Sequence, residues 1–147
     1  MQNYEAKKPS YFATPSPQLV HALHTSLTQI LSRPLSDRFT AHRDASHRIK
    51  RAVADLGLSQ LATKPENQAN GMTAFYLPED IKSADLLPRL VKKGVVFAAG
   101  LHREIAGKYM RIGHMGVSVM DPARGDLERA TGVLKEVLAE LGYQKAK

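Results

Sequence analysis

Cysteine and tryptophan are both missing from these 147 residues. The first absence removes disulfide frameworks and thiolate metal sites from consideration and agrees with a reducing compartment. Aromatic residues amount to only 6%, scattered along the chain, which is too thin for the stacking platforms that hold single-stranded nucleic acid. No apolar run approaches the roughly 20 residues needed to cross a bilayer, and the stretch from Met1 to Pro9 is polar with no hydrophobic signal segment behind it. The chain therefore reads as soluble, without a membrane partner. An intracellular place is expected, with cytoplasm, peroxisome and mitochondrion all open. The terminal Lys145-Ala146-Lys147 is not the Ser-Lys-Leu type of peroxisomal address.

What is present is ordinary globular material. Hydrophobic residues make up 43% and charged residues 24%, enough for one compact domain with an adequate core. The formal charge of +7 raises the question of nucleic acid, and Arg43, Arg48, Lys50 and Arg51 do cluster in a stretch that looks helical. Asp37, Asp44 and Asp55 interrupt that pattern, however, and no recognisable docking motif surrounds it. No nucleic-acid partner is expected. The charge reads as a solvated helix surface, with a basic funnel for small anionic substrates as the second reading.

Periodicity gives the order helix, helix, strand, helix, strand, strand, helix. Residues 1 to 15 read as extended. A helix then starts near Ser16 with Pro17 in its first turn, and Leu19, Val20, Leu23, Leu27, Ile30 and Leu31 form one apolar face until Pro34. A second helix, Ser36 to Leu56, is expected to bury Phe39, Ala45, Ile49, Ala52, Val53 and Leu56, with Gly57 as its stop. Residues 58 to 70 read as a short extended piece and a polar loop. Met72 to Leu77 makes a strand, Ser83 to Gly94 a short helix with Pro88 tolerated in its first turns, and Val95 to Ala98 a compact strand. The last helix takes Asp121 as N-cap and buries Leu127, Ala130, Val133, Leu134, Val137, Leu138 and Leu141. The expected class is α+β, a short mixed or antiparallel sheet covered by helices on one face and preceded by a long helix.

One segment stands out chemically. In Lys108-Tyr109-Met110-Arg111-Ile112-Gly113-His114-Met115-Gly116 a single arginine lies among apolar strand residues. A guanidinium is always charged and its planar fork matches a carboxylate bidentately, so anion capture is one reading. Snorkelling from a sheet edge, or pairing with a nearby Asp or Glu, is the other. The histidines invite a metal hypothesis, since His21 and His24 lie one turn apart and His42 and His47 five residues apart. No third ligand completes a zinc pattern, so no metal is expected. His114 alone is kept, as a group near a substrate bound at Arg111.

Tyr11-Phe12-Ala13-Thr14-Pro15 at the head of a long helix, with Met110-Arg111-Ile112-Gly113-His114-Met115-Gly116 far downstream and a terminal amphipathic helix, resembles the C-terminal part of class V (fold type I) pyridoxal-phosphate-dependent aminotransferases. The likeness is to the branch that moves an amino group from alanine or serine to glyoxylate, in its fungal form. It covers essentially the whole chain. The resemblance implies that residues 1–33 are the tail of a large cofactor domain and 34–147 a C-terminal small domain. It implies that Arg111 binds the carboxylate of the amino acid or 2-oxo acid substrate, and that Tyr11 and Thr14 reach the phosphate of pyridoxal 5'-phosphate across the interface of a homodimer. Tyr11 as an ordinary interface aromatic and Thr14 as a helix-capping hydroxyl are the plain alternatives. The Schiff-base lysine, the acid facing the pyridine nitrogen and the phosphate cradle lie upstream in the family. Here Lys7, Lys8, Lys50, Lys92, Lys93 and Lys108 all read as exposed, so no catalytic residue is expected in this chain and the chain alone should be inactive. The alternative is a non-catalytic dimerisation module derived from such an enzyme, pairing with a full-length subunit.

Overall fold

A computed structural model describes residues 2–10 and 13–145, which divide into two compact units, residues 1–35 and 36–147. The first unit holds a short helix α1 (Gln2–Glu5), where the sequence reading expected only extended chain, and the helix α2 (Pro17–Leu31). Ser16 caps α2 as its spacing predicts. Its side chain accepts from the Leu19 N–H, and Pro17, which has no N–H to satisfy, opens the first turn. Leu19, Val20, Leu23, Leu27, Ile30 and Leu31 line one face and all of them are exposed. No residue of α2 is buried.

The second unit is built on α3 (Leu35–Asp55), β1 (Met72–Tyr76), α4 (Ser83–Lys92), β2 (Ala98–Ala99), β3 (Tyr109–Gly113), the short α5 (Val117–Met120) and α6 (Asp126–Glu140). The strands form one antiparallel sheet in the order β1-β3-β2. Phe75 of β1 pairs with Met110, and Thr73 with Ile112. All four are buried on the face where Ile49 and Val53 of α3, Leu86 and Leu90 of α4, and Leu134, Val137 and Leu138 of α6 complete a continuous core. Each large apolar side chain of this core contributes about 1.5–3 kcal/mol relative to leaving it in water. Along the free side of β1 the extended piece predicted for residues 58–70 runs antiparallel. Leu61 N–H donates to Ala74 and Tyr76 N–H to Ser59, and Gln60 bridges to Phe75.

Three local expectations need correction. Phe39 is 63% exposed rather than buried, because the apolar stripe of α3 that meets the core begins only at Ala41 and Ala45. The strand expected over 95–98 shortens to Ala98–Ala99: the Val95 N–H is spent on the Leu90 carbonyl, closing the C-terminus of α4, so the chain joins the ladder later. Pro88 is tolerated inside α4, in its second turn, as the sequence reading has it. The last helix does not start at Asp121. Gly125, at φ +63°, adopts the left-handed backbone that ends a 3-10 turn over Pro122–Arg124, and the helix restarts at Asp126. The Asp126 carboxylate then accepts from Arg124 Nε and Ser118 Oγ, both at 2.8 Å, and Arg124 first, then Ser118, hold it below the usual carboxylate range.

Candidate functional site

Alternation along β3 decides what each residue can do. Met110 and Ile112 point into the core, so Tyr109, Arg111 and Gly113 belong to the opposite face of the sheet. Directly across from Arg111 stand Ala74 on β1 and Ala98 on β2. Two methyl groups are the smallest side chains short of glycine, and they leave the guanidinium unobstructed on both flanks. Arg111 is half-buried. Its Nε–H donates to the Ala99 carbonyl at 2.9 Å, which fixes the plane of the fork from one side. The two terminal nitrogens make no hydrogen bond to any described residue, and none of the carboxylates among the described residues forms an ion pair with it. The reading in which Arg111 serves a local acidic partner thus loses its partner. What remains is a held guanidinium with an open bidentate edge, the donor geometry that a carboxylate fits.

Tyr109, two residues earlier on the same face, is 5% exposed. Its phenol oxygen accepts from the Leu101 N–H at 2.7 Å and the His102 N–H at 3.1 Å. These two donors, His102 first, hold the phenol below its ordinary pKa, and the positive charge of Arg111 adds to the effect. The sequence reading did not single out Tyr109. The signal was there, since a residue two before an arginine in a strand shares its face.

His114 lies elsewhere than expected. It continues the parity of Met110 and Ile112, is fully buried, and shares a 2.8 Å hydrogen bond between its Nε2 and Thr73 Oγ1, itself buried. A group on the core face cannot touch a carboxylate bound at Arg111 on the other. Its Nδ1 has no hydrogen-bond partner among the described residues. Burial first, and then the charge of Lys50, pushes its pKa down, which favours the uncharged ring. Lys50 and Lys93 are half-buried rather than exposed, and desolvation lowers the pKa of Lys50.

His42 of α3 takes a different task. Its Nδ1 lies 2.7 Å from the Arg38 carbonyl and must donate, which leaves Nε2 to accept the Gly116 N–H at 3.2 Å. The neutral ring so ties α3 to the turn that follows β3. His21 and His24 are exposed on α2, and no group of His, Cys, Asp or Glu among the described residues is arranged to hold a metal ion.

Tyr11 lies outside the described residues. Thr14 is exposed in the extended segment before α2, and its hydroxyl is of a kind that can donate to a phosphate oxygen. A cavity of about 650 Å³ opens between Tyr76, Leu77, Ile81, Lys82 and Lys108; Arg111 does not line it. No helix among the described residues is long and apolar enough to cross a membrane.

No protein-family model matches the chain. It is 42% identical over 120 residues to alanine–glyoxylate aminotransferase 1 of Saccharomyces cerevisiae, a match that takes in 80% of this chain and 30% of the yeast protein. It is 32% identical over 105 residues to the serine–glyoxylate aminotransferase of Hyphomicrobium methylovorum, over 71% of this chain and 26% of that one. Among solved structures, pyridoxamine–pyruvate aminotransferase from Mesorhizobium loti superposes with a TM-score of 0.81 at 25% identity, over 99% of this chain and 36% of the other. The matched part of these structures is the C-terminal domain, an α+β unit like the one described. The chain spans about a third of the length of the curated relatives it matches.

Proposed function

The homologues of this chain are alanine–glyoxylate and serine–glyoxylate aminotransferases, and we propose that it is the substrate-closing C-terminal part of a transaminase that moves an amino group from alanine or serine to glyoxylate. The observation that carries this reading is Arg111: a half-buried guanidinium, held at Nε by the Ala99 carbonyl, flanked by two alanines, with its bidentate edge unpaired among the described residues. In this role Arg111 binds the substrate carboxylate and orients the amino-bearing carbon toward the reacting centre. Orientation of that kind contributes several kcal/mol of barrier reduction. Pyridoxal 5'-phosphate, the cofactor the family resemblance implies, supplies the electron sink when bound.

The residues present fit a supporting part in that site. Thr14 and Tyr11 carry hydroxyls that suit phosphate oxygens, and we assign them to the cofactor phosphate of a partner subunit in a homodimer. Residues 1–33 then belong to the tail of a large cofactor domain and 34–147 to the small domain. The Schiff-base lysine is assigned to the large domain: of the two half-buried lysines, Lys93 is paired with Glu136 and Glu140, and Lys50 belongs to α3, whose Ile49 and Val53 pack on the core side of the sheet, away from Arg111. Kinship with enzymes that act on glyoxylate favours this reading over a non-catalytic dimerisation module.

The experiment is a chimera. This chain replaces the matching C-terminal part of the yeast alanine–glyoxylate aminotransferase, and glyoxylate-dependent transamination is followed with alanine as donor. The expected result is a dimeric enzyme that forms glycine. A folded, dimeric chimera with no transamination above background would contradict the proposal.

A further inference from the structure

Chain segment 99–102 is fastened at four consecutive backbone groups, all of them to β3. The Ala99 carbonyl accepts from Arg111 Nε at 2.9 Å. The Gly100 N–H reaches the Tyr109 carbonyl and the Ala106 carbonyl, each at 3.1 Å. The Leu101 and His102 N–H groups both end on the Tyr109 phenol oxygen. Gly100 is pressed so closely against this ring that a Cβ there would lie 2.3 Å from Tyr109 Cε1 and 2.6 Å from the Ala106 oxygen, contacts that no side chain can make. Backbone donors that turn away from a sheet usually go to water. Here two successive ones are gathered by one buried phenol, immediately after the carbonyl that holds the guanidinium.

The same arrangement explains why a tyrosine rather than a phenylalanine occupies the position. Phe would fill the same volume under Gly100 but would hand two neighbouring N–H groups, on the exposed residues Leu101 and His102, from the phenol to water. The turn would then open toward water and carry Ala99 with it. Arg111, whose Nε–H is tied to Ala99 alone among the described residues, would regain rotamer freedom.

We infer that Tyr109 is a positioning residue for Arg111: by clamping the 100–102 turn with its phenol oxygen it sets the Ala99 carbonyl that aims the guanidinium at the substrate carboxylate. This inference rests on the anchor role proposed for Arg111 as far as substrate is concerned. Its geometric half, that the phenol controls the Arg111 side chain, stands apart from that role and is tested apart from it.

The first measurement is hydrogen exchange of the Arg111 Nε–H, followed by NMR on the full chain with Tyr109→Phe. The expected result is exchange faster by about tenfold, the scale of one lost hydrogen bond, while the Phe75 and Ile112 backbone amides keep their protection. Gly100→Ala, which keeps the phenol but forces the turn off the ring, should produce the same acceleration. The second measurement is steady-state kinetics of Tyr109→Phe in the chimeric enzyme, with KM for alanine raised about tenfold and kcat within about twofold. Unchanged Arg111 Nε–H exchange in Tyr109→Phe would overturn the inference outright. Accelerated exchange with unchanged KM would confine Tyr109 to holding Arg111 and overturn its effect on substrate. Arg111→Lys in the same chimera separates this from a failure of the anchor role, since that variant leaves Tyr109 and its two donors in place.

Discussion

Arg111 of β3 and His114, the residue just past its end, illustrate how much a single register position decides. Both drew notice in the sequence as chemically unusual members of an apolar segment. Parity sends Arg111 to the outer face, where its fork is open, and His114 to the core, where Thr73 takes one ring nitrogen and the other goes unpaired. Burial disfavours the charged ring, and His114 acts as a structural polar group whose cost is offset by one hydrogen bond. Thr73→Val keeps the shape of the threonine but removes that bond, leaving both ring nitrogens without partners. Chemical denaturation should show a loss of about 1–3 kcal/mol. Adding His114→Leu removes the stranded polar group and should recover part of the loss, so that the double variant is more stable than Thr73→Val alone. A neutral Thr73→Val would show that the hydrogen bond is not what satisfies the ring. The sequence could place Arg111 and His114 in one segment, but which of them meets solvent depends on the face the helices cover, and that is a tertiary fact.

At the scale of elements, helical periodicity proved most readable where one stripe is unambiguous. Ser16 with Pro17 predicts the start of α2, and the leucine and valine spacing of α6 predicts its buried face. The errors fall where two signals compete. At the end of α4 the apolar Val95 to Ala98 run reads as a strand, yet its first N–H completes the preceding helix and only Ala98–Ala99 enters the sheet. Before α6, Asp121-Pro122 reads as a helix start, but Gly125 takes a left-handed backbone and delays the helix to Asp126. On α3, Phe39 shares the helical spacing of the core residues while lying beyond the part of the helix that meets them. Leu90 of α4 has no exposed surface, whereas Phe39 is 63% exposed. Leu90→Ala should therefore cost about 2–5 kcal/mol through lost burial and the cavity left behind, and Phe39→Ala should stay within about 0.5 kcal/mol. Thermal or urea unfolding of the two variants side by side checks this; comparable losses would mean that Phe39 is covered in solution.

For the whole molecule, residues 36–147 contain every member of the continuous core, while residues 1–35 carry a helix whose apolar face is exposed. This asymmetry is consistent with a chain that spans about a third of its curated relatives and with the proposal that its first segment belongs to a larger domain. The sheet has the same asymmetry: one face is sealed by α3, α4 and α6, and the other presents Arg111 between two alanines. The family resemblance, carried by the Arg-Ile-Gly segment and the Tyr-x-x-Thr-Pro segment, was legible in the sequence. The Ala99 carbonyl, the paired alanines and the Tyr109 clamp were not, because they arise from strand pairing between segments that no local pattern connects. The account stands or falls on Arg111 as carboxylate anchor. The most direct measurement is KM for alanine in the chimeric enzyme with Arg111→Lys, which keeps a positive charge and removes the planar fork. Loss of a charge-assisted bidentate contact predicts a KM raised about 10- to 100-fold; a KM equal to that of the unsubstituted chimera would contradict the assignment.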